Sequence, residues 1–128
     1  GYDKPDRKNF LRFLYECMEN KTEVEIFTDV YNRPTHVGDL SAFILRVVEE
    51  EITGVIHAVA EDYISRYELS KMFCDTYGYS QDLLIPTVQP PDCKKPRQLN
   101  LKPSKIFTEQ IKIPLNVGIK TCLGKLEN

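Results

Sequence analysis

The chain has 128 residues, of which 41% are apolar, and its seven tyrosines and six phenylalanines suit one small domain with a hydrophobic core. The 17 lysines and arginines nearly balance the 19 aspartates and glutamates, so the net charge of −2 gives no electrostatic reason to expect nucleic acid or an anionic membrane as the main partner. No apolar run approaches the roughly 18 residues of a membrane span, and the charged start is not a signal peptide. We therefore expect a cytoplasmic protein.

The first half of the chain predicts helix, strand, helix and strand in that order. A helix is expected over Asp6–Glu19, started by Pro5 and Asp6, and the alternation over Thr22–Phe27 is typical of a half-buried strand. A second helix is expected over Asp39–Glu51, with Asp39 as its N-cap. Its apolar stripe is wide, so we expect it to be buried on most of its circumference.

The run Gly54–Val59 is short and apolar and follows a glycine, which favours a strand of a parallel sheet covered on both faces. His57 lies inside this run. A histidine in such a place is more often a hydrogen-bonded core residue than a catalyst, and we interpret it so.

The second half predicts three more helices joined by loops. Ser65–Glu68 is a capping box that starts a helix ending near Gly78, and Leu83–Val88 is expected to be extended. A proline-rich surface link follows at Gln89–Arg97. A short helix is expected from Pro103, and Pro114 begins a last helix whose apolar face comprises Leu115, Ile119, Cys122, Leu123 and Leu126. The fold class is therefore mixed α/β.

Two arginines stand beside prolines in loops, Arg33 in Asn-Arg-Pro-Thr and Arg97 in Lys-Pro-Arg-Gln-Leu. If both loops face one cleft, the two side chains could clamp a diphosphate through charge-assisted contacts. From spacing alone, a solvated surface position is favoured for each. Thr35 and His36 could hydrogen-bond a ligand, although polar loop residues more often bond the local backbone.

Other candidate motifs are weak. Tyr67 and Lys71 form a Y-x-x-x-K pair, but Tyr67 lies within the capping box and no glycine-rich cofactor turn is present, so we interpret the pair as coincidence. The four cysteines contain no C-x-x-C pair, and we predict neither a metal site nor a nucleophile triad. Cys93 is open to a disulfide or a free thiol, and four free thiols are favoured.

Taken in order, several blocks of the chain resemble the C-terminal part of the dTDP-4-dehydrorhamnose reductase family, within the extended short-chain dehydrogenases. The blocks are Gly1-Tyr2, Lys8–Leu11, Asn32–Leu40 (the family's R-P-T-x-V-x-D-L), Thr53–His57, Ser65–Leu69 (S-x-Y-E-L) and Pro96–Leu101, where proline and arginine stand in reversed order.

The resemblance implies that residues 1–128 are the substrate-binding portion of a Rossmann-type reductase of a 4-keto-6-deoxy sugar nucleotide. It implies Arg33, Thr35 and Arg97 as contacts to the nucleotide-sugar. The N-terminal half, which holds NADP or NAD and the catalytic residues in such enzymes, is absent from this chain, so we expect no catalytic residue, bound cofactor, bound metal or activity in this portion alone. The predicted Gly54–Val59 strand would then need the missing half, or self-association as a homodimer, to cover it.

The same pattern also resembles the regulatory subunit of methionine adenosyltransferase, which keeps the dehydrogenase fold while serving a partner protein. A non-catalytic binding or regulatory module is therefore the alternative function. Turnover of a 4-keto sugar nucleotide by the full-length protein would distinguish the two.

Overall fold

A computed structural model describes residues 9–122 of the chain, with the side chain of Cys122 excepted. Five α-helices, one short 3₁₀ helix (Gln81–Leu83) and four short strands occur in this part of the chain, which confirms the mixed α/β class. They are α1 (Phe10–Glu19), β1 (Val24–Phe27), β2 (Tyr31–Asn32), α2 (Val37–Glu49), β3 (Ile64–Ser65), α3 (Arg66–Tyr77), β4 (Leu84–Thr87), α4 (Lys105–Thr108) and α5 (Leu115–Cys122). No helix in residues 9–122 is long and apolar enough to cross a membrane. The predicted helix start at Pro5 and Asp6, and Leu123 and Leu126 of the predicted last face, lie outside the described residues.

The strands form two separate pairs. β1 and β4 are parallel, with Val24 opposite Leu84, and the alternating burial predicted for β1 is confirmed. β2 and β3 are antiparallel, with Tyr31 opposite Ser65. The core lies where α1, α3 and α5 pack around the parallel pair; its buried members are Leu14, Met18, Val24, Ile26, Leu69, Phe73, Cys74, Leu84 and Ile119.

Helix α3 forms as its sequence predicts. Ser65 is the N-cap, and its hydroxyl accepts a hydrogen bond from the backbone N–H of Glu68 at 3.1 Å. Gly78 ends the helix in the left-handed conformation with φ of 73°, which a residue without Cβ adopts at little cost. Leu69 and Phe73 face the core from this helix.

Helix α2 differs from the prediction in both its start and its burial. It begins two residues early, at Val37, because the His36 ring caps it: Nδ1 accepts from the Gly38 N–H at 2.9 Å. The prediction of Asp39 as N-cap is therefore wrong. The prediction of burial around most of the helix is also wrong, since Asp39 and Phe43 are its buried residues and Val48 is 69% exposed.

The predicted strand at Gly54–Val59 does not form. Val55 is 90% exposed, and residues 55–60 have no regular structure. A strand of a parallel sheet needs a neighbouring strand for its N–H and C=O groups, whereas His57 bonds a loop: its N–H donates to Ser104 Oγ at 2.9 Å and its C=O accepts from the Ser104 N–H at 3.1 Å. His57 is hydrogen-bonded, as predicted, but half-buried rather than in the core.

Candidate functional site

Arg33 lies in the loop between β2 and α2 and is held by three contacts from two segments, residues 61–63 and residue 100. One terminal nitrogen donates to the backbone oxygen of Glu61, and the other donates to Asn100 Oδ1 at 2.8 Å. The guanidinium carbon lies 5.0 Å from the centre of the Tyr63 ring, a cation–π distance. These contacts fix the plane of the guanidinium before any ligand arrives.

The charge of Arg33 is not neutralised by a carboxylate in residues 9–121. The groups that hold it are a backbone carbonyl, an amide oxygen and an aromatic ring, all of them uncharged. Its Nε is buried and has no hydrogen-bond partner in the described part of the chain. A buried unpaired donor costs about 1–3 kcal/mol. A preorganised cation whose charge no carboxylate offsets suits recognition of an anion.

Thr35 holds the same loop in place. Its hydroxyl donates to the backbone oxygen of Arg33 at 3.1 Å and accepts from the Ala60 N–H at 3.0 Å. His36 uses its ring to cap α2. Both side chains thus bond nearby backbone, as is usual for polar loop residues. Thr35 thereby joins the Arg33 loop to Ala60, the neighbour of Glu61, whose backbone oxygen accepts from Arg33.

Arg97 lies beside strand β2, which leads into the Arg33 loop, but its side chain has different partners from those of Arg33. The Tyr31 N–H donates to the Arg97 backbone oxygen at 2.7 Å, and the Leu99 N–H donates to the Tyr31 oxygen at 3.1 Å. The Arg97 Nε lies 3.4 Å from Asp29 Oδ2, and its Nη2 donates to the Gln89 oxygen at 3.3 Å. The backbones of the two arginine loops are therefore neighbours, whereas the Arg97 charge is already paired. A joint clamp by both arginines stays a prediction.

Asp39 has a role that local sequence reasoning missed. Its carboxylate is buried, and its two oxygens accept from the backbone N–H groups of Lys112 and Ile113 at 3.0 and 3.1 Å. The bonds tie the start of α2 to the segment before α5. No pattern near Asp39 predicts this, because the partners lie more than 70 residues along the chain.

A cavity of about 650 Å³ opens next to the Arg33 loop. Its lining includes the polar residues Thr35 and His36 and the acidic residues Glu61 and Asp62. Apolar residues of the segment 111–119 form much of the remaining wall. Since the side chains that bring charge to the lining are Asp39, Glu61 and Asp62 among the described residues, the cavity itself does not favour a phosphate group.

The remaining candidates carry less chemistry. Lys71 Nζ lies 5.6 Å from the centre of the Tyr67 ring, a surface cation–π contact. Among residues 9–121, no group of three or more His, Cys, Asp or Glu side chains could hold a metal ion.

Cys74 and Cys93 are free thiols. Burial, and secondarily the charge of Asp75, raises the pKa of Cys74 above its usual range. The Cys93 sulfur accepts from Gln89 Nε2 at 3.1 Å.

Comparison with known proteins decides the family. Residues 2–126 match the family described as the RmlD substrate binding domain. The chain belongs to this family. The family resemblance predicted from the sequence is thereby confirmed. No curated protein sequence matches the chain.

Solved structures share the fold of this RmlD-type domain. A dTDP-4-dehydrorhamnose reductase from Clostridium acetobutylicum superimposes with a TM-score of 0.77 at 19% identity, covering 96% of this chain and 45% of that one. A dTDP-4-dehydrorhamnose reductase from Bacillus anthracis, in complex with NADP, superimposes with a TM-score of 0.77 at 15% identity, covering 94% of this chain and 44% of that one. A dTDP-glucose 4,6-dehydratase from Bacillus anthracis, in complex with NAD, superimposes with a TM-score of 0.74 at 11% identity, covering 93% of this chain and 39% of that one. The chain thus spans less than half the length of each of these proteins.

Proposed function

We propose that this chain is the substrate-side portion of an NAD(P)-dependent reductase that acts on a 4-keto-6-deoxy sugar nucleotide such as dTDP-4-dehydrorhamnose. The family match over residues 2–126 is the observation that carries the proposal. It is supported by the fold shared with reductases, one of which was solved with NADP. The chain itself supplies substrate contacts, and the hydride comes from a cofactor held elsewhere.

Arg33 is the residue we assign to the diphosphate. Its charge meets uncharged partners in the described part of the chain, and those partners hold the guanidinium in one orientation. A fixed planar fork recognises phosphate oxygens with little loss of side-chain entropy. Thr35 positions the loop that carries Arg33. Arg97 is a weaker phosphate ligand by the same reasoning, because Asp29 offsets its charge, and we assign it to the sugar or to the outer phosphate.

Catalysis then requires a cofactor-binding part, in the same protein or in a partner. We propose that it covers the apolar face of α2 formed by Ile44, Leu45 and Val48, each more than half exposed, together with Val55. Helix α2 begins directly after the Arg33 loop, so the cofactor-binding part would contact the helix that follows that loop. On its own, the 128-residue chain is expected to bind but not to turn over the substrate.

The test is the kinetics of Arg33→Ala in the full-length protein with a dTDP-4-keto-6-deoxy sugar and NADPH or NADH. A hydrogen-bonded charge contributes about 1.5–3 kcal/mol, so we expect the Michaelis constant to rise about 10- to 100-fold with a smaller effect on turnover. Arg46→Ala is the matched control, because Arg46 is an arginine of α2 paired with Glu50 and distant from the loop in sequence.

An unchanged Michaelis constant in Arg33→Ala would remove Arg33 from the site. A full-length protein that binds cofactor but shows no turnover of the keto sugar, and that co-purifies with a synthetase, would replace the reductase proposal with a non-catalytic regulatory module.

A further inference from the structure

We propose that Tyr63 is a positioning residue for the substrate: its ring, packed against that of Tyr31, sets the orientation in which the Arg33 guanidinium meets a diphosphate. The inference rests on the function proposed above and deepens it by naming a residue that acts through Arg33. Tyr63 directly precedes β3, and its hydroxyl is buried. Its contribution to binding is made through the cation that lies over its ring.

The antiparallel pairing of β2 and β3 brings the three side chains together. Tyr31 lies opposite Ser65, so the same register carried two residues along each strand places Arg33 opposite Tyr63. Alternate residues of a strand share a face, and Tyr31 and Tyr63 are then diagonal neighbours across the pair. The contacts agree with this register. The Tyr31 and Tyr63 ring centres are 5.3 Å apart, and the Arg33 guanidinium carbon lies 5.0 Å from the centre of the Tyr63 ring.

Tyr31 is anchored on both edges of β2. On one edge it pairs with Ser65 of β3. On the other edge its N–H donates to the Arg97 backbone oxygen at 2.7 Å, and its C=O accepts from the Leu99 N–H at 3.1 Å. The backbone that carries the Tyr31 ring is therefore fixed, and this ring is a firm support for the Tyr63 ring.

The Tyr63 ring controls an orientation that the hydrogen bonds of Arg33 leave open. The two terminal nitrogens of Arg33 donate to the Glu61 backbone oxygen and to Asn100 Oδ1. A planar group held at those two atoms can still turn about the line that joins them. Glu61 and Asn100 are also exposed, so water competes for both hydrogen bonds. The half-buried Tyr63 ring opposes the rotation, because the central carbon of the guanidinium lies over it.

The Tyr63 hydroxyl has no part in this arrangement. It is buried and has no hydrogen-bond partner in the described part of the chain. A buried hydroxyl without a partner is unfavourable, so an aromatic ring without a hydroxyl should serve here as well as tyrosine does. Two substitutions therefore separate the ring from the hydroxyl, since phenylalanine keeps the contact with Arg33 and leucine removes it.

The experiment is a double-mutant cycle measured by steady-state kinetics of the full-length protein, with dTDP-4-dehydrorhamnose and NADPH or NADH. Tyr63→Leu should raise the Michaelis constant about 3- to 10-fold with a smaller effect on turnover, because a guanidinium that is free to turn loses entropy when it binds. In an Arg33→Ala background the same substitution should change the constant by less than about twofold. Tyr63→Phe, the conservative variant, should restore the constant to within about twofold of the wild-type value.

Tyr67→Leu is the matched control, because the Tyr67 ring also lies beneath a cation, with Lys71 Nζ 5.6 Å from its centre. Its Michaelis constant should stay near that of the wild type. Circular dichroism checks that each variant is folded. If Tyr63→Leu does not fold, Tyr31→Leu takes its place in the cycle. It removes the support of the Tyr63 ring and should raise the constant about threefold, again only while Arg33 is present.

The outcomes separate this proposal from the function on which it rests. With a wild type that turns over the keto sugar, the role of Tyr63 is wrong if Tyr63→Leu leaves the Michaelis constant unchanged, or raises it equally with and without Arg33. It is also wrong if Tyr63→Phe or Tyr67→Leu is impaired as strongly as Tyr63→Leu. In each of these cases the proposed function stands. A wild type without turnover of the keto sugar would refute the proposed function, and the role of Tyr63 with it.

Discussion

Helices α2 and α3 have nearly the same length, 13 and 12 residues, and each begins with a side-chain cap, yet the chain treats their apolar residues differently. In α3 the apolar residues Leu69, Phe73 and Cys74 are buried in the core. In α2, Ile44, Leu45 and Val48 are more than half exposed, although α2 is the more apolar helix in sequence. Apolar periodicity thus identifies the face that needs a partner, but it does not show that the partner lies within the same 128 residues.

Different forces hold the two helices. Stacking of Phe73 against the Tyr79 ring, with centres 6.0 Å apart, and contacts across the core fix α3. Helix α2 is attached through polar groups and one ring: the buried Asp39 carboxylate, Arg46, whose Nη1 donates to Gln110 Oε1 at 2.9 Å, and Phe43, whose ring meets Phe107 edge-on at 5.2 Å. Substitutions can test this contrast one helix at a time.

The largest expected difference is between two identical substitutions, Leu69→Ala in α3 and Leu45→Ala in α2. Leu69 is 7% exposed and Leu45 is 59% exposed. Removal of a buried leucine side chain costs about 2–5 kcal/mol, whereas an exposed one changes stability by about 0.5 kcal/mol. Urea denaturation of the 128-residue chain gives both free energies of unfolding. Equal losses would show that the α2 face is buried within this chain and would end the comparison.

Asp39→Ala tests the polar attachment of α2. The substitution leaves the backbone N–H groups of Lys112 and Ile113 without an acceptor, and we expect a loss of about 2–3 kcal/mol. Asp39→Asn keeps one acceptor oxygen and should lose less. Amide hydrogen exchange at residues 112 and 113 should become faster in Asp39→Ala, while exchange in α3 changes only as far as global stability falls. Unchanged exchange at these two amides would show that Asp39 does not hold the segment.

Much of the fold is readable from local sequence, and the exceptions share one cause. The capping box at Ser65, the left-handed Gly78 and the alternation in β1 are local features, and each forms as predicted. Local sequence favours Asp39 as the cap of α2, because aspartate is a common N-cap. His36 performs that role through Nδ1, and Asp39 is used over a distance of more than 70 residues. Contacts between residues so far apart in the chain cannot be predicted from a stretch of about a dozen residues.

The same limit applies to the site. Proline-flanked arginines were sufficient to select Arg33 and Arg97 as candidates, and the family pattern ordered them along the chain. The difference between them depends on partners that only the folded chain brings together. Asn100 and Tyr63 are uncharged and do not neutralise Arg33, whereas the Asp29 carboxylate forms an ion pair with Arg97.

The smallest expected effect in the isolated chain is that of Val48→Ser, and it bears most directly on why α2 is apolar. Val48 is 69% exposed, and serine has nearly the same helix propensity as valine, so stability of the 128-residue chain should change by no more than about 0.5 kcal/mol. If a cofactor-binding part covers α2 in the full-length protein, the same substitution should cost about 1–3 kcal/mol there, because it places a hydroxyl in an apolar interface. Thermal unfolding of both proteins, with Glu49→Ser as the neighbouring control, measures the difference. An effect that is equally small in both would mean that the α2 face stays exposed in the full-length protein, and the cofactor-binding part would then have to meet this domain elsewhere.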